Sequence, residues 1–247
     1  MTRAAVQLDD LTVAYDRHPA VHHLSGRFAK GSLTAVVGPN GAGKSSLIRT
    51  IAGLHKPSEG TVTLPGLAAA DLAYLPQLSA IDDSFPISVL DVVLLGHWRR
   101  VGPFRAIGRS LRQQARAALS TLGLERMEER PFGALSAGQR QRVLFARLLV
   151  CDSPLILLDE PFAAIDARTT ADLLRLVERW HEEGRTVIAV LHDFDQVRRH
   201  FPHTLLLARQ PIAWGATADV LTAENLIKAR ALSEAWEPDA DICRGAA

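Results

Sequence analysis

Residues 38–45 of this 247-residue chain read GPNGAGKS, and this stretch decides the fold. It fits the pattern G-x-x-x-x-G-K-[ST] and lies between an apolar, strand-like run at 33–37 and a predicted helix, which is the context that the pattern requires. Glycines in such a turn let backbone N–H groups point inward around phosphate oxygens, and the helix N-terminus adds positive potential. The alternative, a glycine-rich turn with a solvated lysine, does not account for the flanking strand and helix. The residues predicted to bind phosphate are Gly38, Pro39, Asn40, Gly41, Ala42, Gly43, Lys44, Ser45 and Ser46.

A second motif, PLILLDEP at 154–161, supplies two carboxylates at the end of a predicted buried strand. This position is the carboxyl edge of the sheet, beside the phosphate loop. Lys44 is predicted to bridge the β- and γ-phosphates, while Ser45 and Asp159 hold Mg²⁺, Asp159 through water. Glu160 is predicted to polarise the water that attacks the γ-phosphate. A strand capped by solvated acids is the alternative, and the phosphate loop argues against it, so the two motifs together predict a P-loop NTPase.

Composition restricts the remaining possibilities. The chain is 47% hydrophobic and 22% charged with a formal net charge of +1, which is ordinary for a globular protein and does not suggest nucleic-acid binding. No run approaches the roughly 18 apolar residues of a spanning helix, and acidic residues interrupt the opening segment, so a soluble cytoplasmic chain is expected. Cys151 and Cys243 lack paired metal-ligand spacing and are interpreted as structural or incidental.

The pattern of apolar residues predicts three regions along the chain. The first and last are strand-rich, and the middle region, from about 77 to 150, is helical and is interpreted as a lobe inserted into the sheet domain. Leu47, Ile48, Ile51 and Leu54 are predicted to share one face of the helix after the phosphate loop. Strands are predicted at 6–13, 33–37, 61–64, 155–158 and 187–191, and helices of the middle region at 89–98, 111–122 and 138–150.

Residues 135–142, LSAGQRQR, carry the most discriminating pattern. Alone, a serine before a helix is an ordinary N-cap, but this one lies about twenty residues ahead of Asp159. In that position the segment resembles the signature of the ABC ATPase family, usually LSGGQ. The resemblance implies a second anion site for the γ-phosphate of ATP held by a partner subunit, and therefore a head-to-tail homodimer with two ATP molecules at the interface. The signature residues are Leu135, Ser136, Ala137, Gly138 and Gln139.

The other landmarks of this family follow in the expected order. Tyr15 lies where the family has an aromatic residue that stacks on adenine, although a strand aromatic packed in the core is the alternative. Gln77 resembles the glutamine that senses Mg²⁺ and water and links the two lobes, and Asp166 matches the dimer-contact loop. His192 matches the histidine that contacts the γ-phosphate, although a lone histidine at a strand end is more often structural. The resemblance thus assigns catalysis to Glu160, His192 and Gln77, and Mg²⁺ binding to Ser45, Asp159 and Gln77.

The resemblance extends from Tyr15 to about Leu226, with two mild departures. Ala137 replaces the usual signature glycine, and Ala163 replaces a common serine of the dimer loop, but neither change removes a catalytic group. The implied fold is α/β, a P-loop NTPase (RecA-like) core with an N-terminal antiparallel β subdomain and an inserted α-helical subdomain. We expect one ATPase domain over 1–231, with the helical insertion at about 78–150, and a tail of unknown role at 232–247.

The segment at 81–96 indicates which transporter the chain serves. It resembles manganese, zinc and iron uptake ATPases, and it belongs to the lobe on which the permease docks. The resemblance implies an importer of a divalent metal ion, zinc or manganese with zinc favoured, that acts with integral membrane permease subunits and indirectly with a solute-binding protein. The ATPase would lie on the cytoplasmic face of the inner membrane as a peripheral subunit and would bind no nucleic acid.

Two alternatives remain open at this point. The chain could power the transporter of a different substrate, or it could be a non-transport ABC ATPase of DNA repair or the ribosome. Non-transport relatives carry long coiled-coil insertions or tandem cassettes, and this chain has neither. The pairs His22 with His23 and His200 with His203 lack zinc-site spacing, so direct binding of the transported metal is not expected.

Overall fold

The structure, a computed structural model, describes residues 3–15, 18–82, 84–102 and 106–234. The described residues divide into two compact units, the first within 1–66 and 186–247 and the second within 67–185. The strands are β1 (Ala4–Tyr15), β2 (His18–Ala29), β3 (Leu33–Val37), β4 (Glu59–Thr63), β5 (Leu72–Leu75), β6 (Leu155–Asp159), β7 (Thr186–Val190), β8 (His203–Ala208) and β9 (Gln210–Ala216). The helices are α1 (Lys44–Ile51), α2 (Val89–Leu94), α3 (Trp98–Val101), α4 (Arg109–Thr121), α5 (Ala137–Cys151), α6 (Ala167–Glu182), α7 (Phe194–His200), α8 (Thr217–Val220) and α9 (Ala223–Glu234).

The first unit contains an antiparallel sheet and a largely parallel one. β1 is the central strand of the antiparallel sheet, paired with β2 on one side and β4 on the other. In the other sheet β3 pairs in parallel with both β7 and β8, and β9 pairs antiparallel with β8 at the edge. Every residue of β3 and β7 is buried, as expected for parallel strands that are covered on both faces.

Glycine sets the end of α1 in this unit. Gly53 has a φ of 73°, a left-handed conformation that few other residues adopt, and its N–H donates to the Thr50 carbonyl. Leu47 and Ile48 are buried in the predicted apolar face. The prediction for Leu54 is wrong, because this residue lies beyond the end of the helix and is 62% exposed.

The second unit combines β5 and β6, which pair in parallel, with helices α2 to α6. Its core includes Phe145 of α5 and Trp180 of α6, whose rings are 5.8 Å apart and nearly parallel. The helices predicted at 111–122 and 138–150 are confirmed as α4 and α5.

The helix predicted at 89–98 is interrupted in the structure. α2 ends at Leu94, the 3₁₀ turn Leu95–His97 follows, and α3 begins at Trp98. A Cβ placed on Gly96 would lie 2.4 Å from Val150 Cγ2 and 2.5 Å from the Arg147 carbonyl oxygen, so α5 approaches this turn too closely for a larger residue. Further 3₁₀ turns lie at Ala69–Asp71, Leu78–Ala80 and Phe132–Ala134.

The predicted fold class is confirmed: an α/β protein with an N-terminal antiparallel sheet and helices inserted between strands of the core. Within the predicted tail 232–247, the first three residues belong to α9, and residues 235–247, which include Cys243, lie outside the described residues. The domain bounds at 231 and the insertion at about 78–150 stay predictions.

Candidate functional site

The phosphate loop connects β3 to α1 and depends on glycine at two positions. Gly43 has a φ of 88°, and a Cβ there would lie 2.0 Å from the Ala20 carbonyl oxygen. A Cβ on Gly38 would lie 1.9 Å from the Leu207 carbonyl oxygen. A side chain at either position would collide with backbone, so the loop has this shape only with glycine there.

Lys44, the first residue of α1, is buried, and its ammonium group lies against the loop itself. Nζ donates hydrogen bonds to the carbonyl oxygens of Gly38, at 2.9 Å, and of Pro39, at 2.8 Å. Both of these acceptors are neutral backbone carbonyls of the phosphate loop. A buried cation at a helix N-terminus, inside a loop that only glycine can form, fits the phosphate groups of a nucleotide.

His192 lines the same cavity as the phosphate loop. The residue follows β7 directly, and the N–H of Leu191 donates to the Val36 carbonyl at 3.1 Å, which fixes the strand end against β3. The cavity has a volume of about 550 Å³, and residues of α9 also line it. The structure therefore brings His192 and the predicted phosphate loop together within one unit. Gly38, Pro39, Asn40 and His192 are among the residues that line this cavity.

Tyr15 ends β1 and is 41% exposed, so the alternative of an aromatic packed in the core does not hold. Its ring stacks on that of His55, with centroids 4.5 Å apart and planes inclined by 29°. An exposed ring with one occupied face is suited to stacking against a planar base.

In the second unit, Asp159 and Glu160 occupy different environments although they are neighbours. Asp159 ends β6 with no exposed surface, and the Tyr74 hydroxyl donates to its Oδ2 at 3.3 Å. Glu160 has a φ of 50°, a left-handed conformation that is strained for a glutamate and is typical of functional sites. This conformation ends the strand and gives the two carboxylates separate surroundings.

Gln77 and Glu160 are joined by a hydrogen bond. Gln77 Nε2 donates to Glu160 Oε2 at 2.7 Å. A carboxylate only accepts hydrogen bonds, so the amide nitrogen of Gln77 faces it. The structure thus places two of the three predicted catalytic residues in direct contact.

The signature segment forms the N-terminus of α5. Ser136 and Gln139 make a reciprocal capping box: Ser136 Oγ accepts from the Gln139 N–H at 3.3 Å, and Gln139 Oε1 accepts from the Ser136 N–H at 3.0 Å. A Cβ on Gly138 would lie 3.5 Å from Asp166 Oδ2, an ordinary contact distance. The signature and the predicted dimer loop are therefore neighbours within this unit, and the N-cap interpretation and the signature interpretation apply to the same serine.

Asp166 caps α6. The N–H and the hydroxyl of Thr169 donate to its carboxylate at 2.9 and 2.8 Å, and these hydrogen bonds hold the pKa of Asp166 below its usual value. Arg142 Nη2 donates to Thr169 Oγ1 at 3.0 Å, which ties α5 to the start of α6.

The predicted site residues thus form two groups. Tyr15, the phosphate loop and His192 belong to the first unit, and Gln77, Asp159, Glu160, the signature and Asp166 belong to the second. The predicted Mg²⁺ ligands are divided in the same way, with Ser45 in the first unit. Sequence reasoning missed the contacts of Tyr74, Thr169 and His55, since nothing in their local spacing distinguishes them from packing residues.

No group of three or more histidine, cysteine, aspartate or glutamate residues is arranged to hold a metal ion within the ranges that the structure describes. His22 and His23 are in edge contact, with ring centroids 4.3 Å apart, and His23 Nδ1 lies 2.8 Å from Asp10 Oδ1. Across the same ranges, every helix falls short of the length and apolarity needed to span a membrane.

The family described as ABC transporter matches residues 21–163, which include the phosphate loop, the signature and both carboxylates of β6. The chain belongs to the ABC transporter family, and it is an ATP-binding cassette with the ATP-hydrolysing activity of that family. The predicted family resemblance is confirmed.

Individual relatives are similar over most of the chain. The manganese transport system ATP-binding protein MntB of Bacillus subtilis is 39% identical over 227 residues, covering 90% of this chain and 91% of that protein. The zinc transport system ATP-binding protein TroB of Treponema pallidum is 38% identical over 232 residues, covering 92% and 87%. Among solved structures, an ABC transporter in an inward-facing conformation gives a TM-score of 0.81 at 32% identity, covering 93% and 90% of the two chains. A bacterial ABC transporter cassette solved as a dimer gives 0.75 at 26%, covering 86% and 98%.

Proposed function

We propose that this chain is the ATPase subunit of an importer that moves a divalent metal ion, zinc or manganese, through a separate membrane permease. The observation that carries the proposal is similarity over nine-tenths of the chain to ATP-binding subunits of manganese and zinc transport systems. Zinc stays favoured over manganese, as the family resemblance predicts, although relatives of both kinds are similar to the chain.

In this proposal the phosphate loop holds the triphosphate of ATP. The backbone N–H groups of 38–46 and the Lys44 ammonium neutralise phosphate oxygens, and Tyr15 stacks on the adenine. His192, on the wall of the same cavity, contacts the γ-phosphate. The support for this arrangement is the cavity shared by His192 and the phosphate loop, together with the exposed ring of Tyr15.

Hydrolysis is assigned to the second group of residues. Glu160 polarises the attacking water. Gln77, which is hydrogen-bonded to the Glu160 carboxylate, orients this water and couples the nucleotide state to the helical region. Ser45, Asp159 and Gln77 would hold Mg²⁺, which would neutralise phosphate charge during hydrolysis. The buried Asp159 carboxylate and the hydroxyl of Ser45 are hard oxygen ligands of the kind that Mg²⁺ prefers.

We further propose that two copies form a head-to-tail homodimer with two ATP molecules at the interface. Leu135–Gln139 of one copy would face the γ-phosphate bound by the other, with Asp166 contacting the partner. The fit rests on Ser136 at the N-terminus of a 15-residue helix, where backbone N–H groups favour an anion, and on Gly138, which presents no side chain there.

The permease is proposed to dock on apolar side chains of the helical region. Phe85, Leu95 and Trp98 are 63%, 48% and 53% exposed, and large apolar side chains of this kind are suited to burial by a partner. The permease in turn receives its cargo from a solute-binding protein, and the ATPase lies on the cytoplasmic face of the inner membrane as a peripheral subunit.

Transport by the reconstituted complex tests the proposal. The chain is combined in liposomes with the permease encoded beside it, and ATP-dependent movement of zinc and manganese is measured, with Glu160→Gln as the inactive control. Movement of one metal by the wild type alone supports the proposal. ATP hydrolysis without movement of either metal leaves the family assignment intact and overturns the metal assignment.

A further inference from the structure

The ring of Tyr15 has one face covered by a residue far away in the chain. His55 stacks on it at a centroid distance of 4.5 Å, while Tyr15 keeps 41% of its surface exposed. A planar ring has two stacking faces, so the face opposite His55 is the one that a base can use. Tyr15 is also the last residue of β1, where a side chain without such a contact would have free choice of rotamer.

The loop that carries His55 is tied to both neighbouring elements. At its start, the N–H of Leu54 donates to the Arg49 carbonyl of α1 at 2.9 Å. At its end, the N–H of Ser58 donates to the Thr12 carbonyl at 2.8 Å, and Ser58 Oγ accepts from the Ala14 N–H at 3.1 Å. His55 is therefore held relative to β1, and Tyr15 is held by both its strand and His55.

α1 extends this connection to the phosphate loop. The helix begins at Lys44 and runs for eight residues to Ile51, just before the loop of His55. One short stretch of chain, α1 and the loop after it, thus joins the Lys44 ammonium group, which is proposed to bind phosphate, to the His55 ring that stacks on Tyr15. The span between the base site and the phosphate site is set by this stretch, as pre-organised binding of one nucleotide requires.

We propose that His55 is a positioning residue for adenine: it stacks on one face of Tyr15 and holds the other face ready for the base of ATP. The inference rests on the proposed adenine contact of Tyr15 and deepens it. His55 acts through its contact with Tyr15, so its effect is on affinity for the base and not on the chemical step.

Steady-state kinetics of the full chain tests this role, with ATP as substrate and inorganic tripolyphosphate, which has no base, as competitive inhibitor. His55→Ala is expected to raise the KM for ATP about three- to tenfold, the size of a lost aromatic contact, and to leave kcat and the inhibition constant of tripolyphosphate within about twofold. His55→Phe, which keeps a stacking ring, is expected to restore most of the lost affinity. His203→Ala, which removes an exposed histidine of the same unit, is the matched control.

A double variant separates positioning from general damage to the loop. In a Tyr15→Ala background, His55→Ala is expected to add no further rise in KM, because its effect passes through the missing ring. A further rise, an equal loss of tripolyphosphate binding, or a fall in KM would each overturn the inference; a fall in KM would mean that His55 competes with the base.

The single variants separate this inference from the proposed adenine contact. If His55→Ala leaves KM unchanged while Tyr15→Ala raises it, the inference fails and the adenine site stands. If Tyr15→Ala is also silent, the proposed adenine contact itself is wrong.

Discussion

Gln77 Nε2 donates to Glu160 Oε2 at 2.7 Å, and the register of two parallel strands explains why these residues meet. Leu75 of β5 is paired with Leu158 of β6. Gln77 and Glu160 each come two positions after their leucine, just beyond the ends of β5 and β6. The pairing therefore brings the two strand ends to the same edge of the sheet, and the left-handed conformation of Glu160 completes the contact.

Glu160→Gln removes the negative charge that would polarise the attacking water and keeps the side chain's shape. We expect the ATPase rate to fall about 100-fold or more, while ATP binding persists and the ATP-bound dimer accumulates. Phosphate release and size-exclusion chromatography with ATP measure the two effects. Glu125→Gln, at an exposed position of the same unit, is the matched control. Undiminished phosphate release, or a monomer in the presence of MgATP, would contradict the assignment.

Gln77→Glu places a second carboxylate against Glu160. Two carboxylates at this distance hold one shared proton to a higher pH than either alone, and only the protonated pair can reproduce the hydrogen bond donated by the amide. ATPase activity should therefore fall by about tenfold or more at alkaline pH and recover partly as the pH is lowered. The check is the pH profile of kcat in both proteins. Parallel profiles would show that Gln77 does not act through the carboxylate of Glu160.

Gly138→Ala distinguishes the signature function of α5 from its structural role. The added Cβ would meet Asp166 Oδ2 at 3.5 Å and Thr169 Oγ1 at 3.7 Å, so the fold has room for it, and alanine favours a helix by about 1 kcal/mol over glycine. We expect thermal stability to stay equal or rise and ATPase activity to fall about tenfold or more, because the methyl group would stand where the partner's phosphate is proposed to bind.

The reverse change at the adjacent position, Ala137→Gly, is the control for this experiment. It restores the usual residue of the family signature, so activity should be kept, while stability falls by up to about 1 kcal/mol. Thermal unfolding and ATPase assays on both variants give the comparison. Full activity of Gly138→Ala in the dimer would overturn the proposed trans contact.

His22 gives the stability of the chain a pH dependence. Burial, and then the charge of His23, lower the pKa of His22 below its ordinary value of 6.5, and Glu59 and Asp10 oppose this shift only in part. The folded chain thus binds fewer protons at this site than the unfolded chain, so the associated stability is complete above the ordinary pKa and is lost as the pH falls through the lowered one.

His22→Gln, which cannot take up a proton, should reduce this loss. Between about pH 7.5 and about pH 5.5, we expect Tm to fall less in the variant than in the wild type. Calorimetry at the two pH values is the measurement, with His203→Gln, an exposed position on β8, as the control. An identical fall of Tm in His22→Gln and wild type would show that this histidine does not contribute.

The parts of the site that sequence predicted are those with local causes. Glycines at fixed spacing before Lys44 describe one loop, and the apolar run before Asp159 describes one buried strand, so both could be placed from the residues themselves. β2, β5, β8 and β9, and helices α7 to α9, were not predicted, because their strands and turns carry weaker patterns than the motifs around them.

The parts that sequence did not predict depend on contacts between distant segments. The break in the helix at 89–98 follows from the close approach of α5 to Gly96, which no local pattern reveals. The stacking of His55 on Tyr15 joins the loop after α1 to the end of β1. Leu54 fits the helical period, but Gly53 ends the helix before reaching it, so the stop signal had more weight than the apolar spacing.

The register of β5 and β6 also constrains how this cassette can diversify. Only Pro76 separates Leu75, the last residue of β5, from Gln77, so removing or adding a residue there would move the amide out of its 2.7 Å contact with Glu160. Exchanges of residue type in that stretch change only the side chains involved, whereas a change of length would disconnect the glutamine altogether. The short connection at Pro76 therefore tolerates a change of residue type more readily than a change of length.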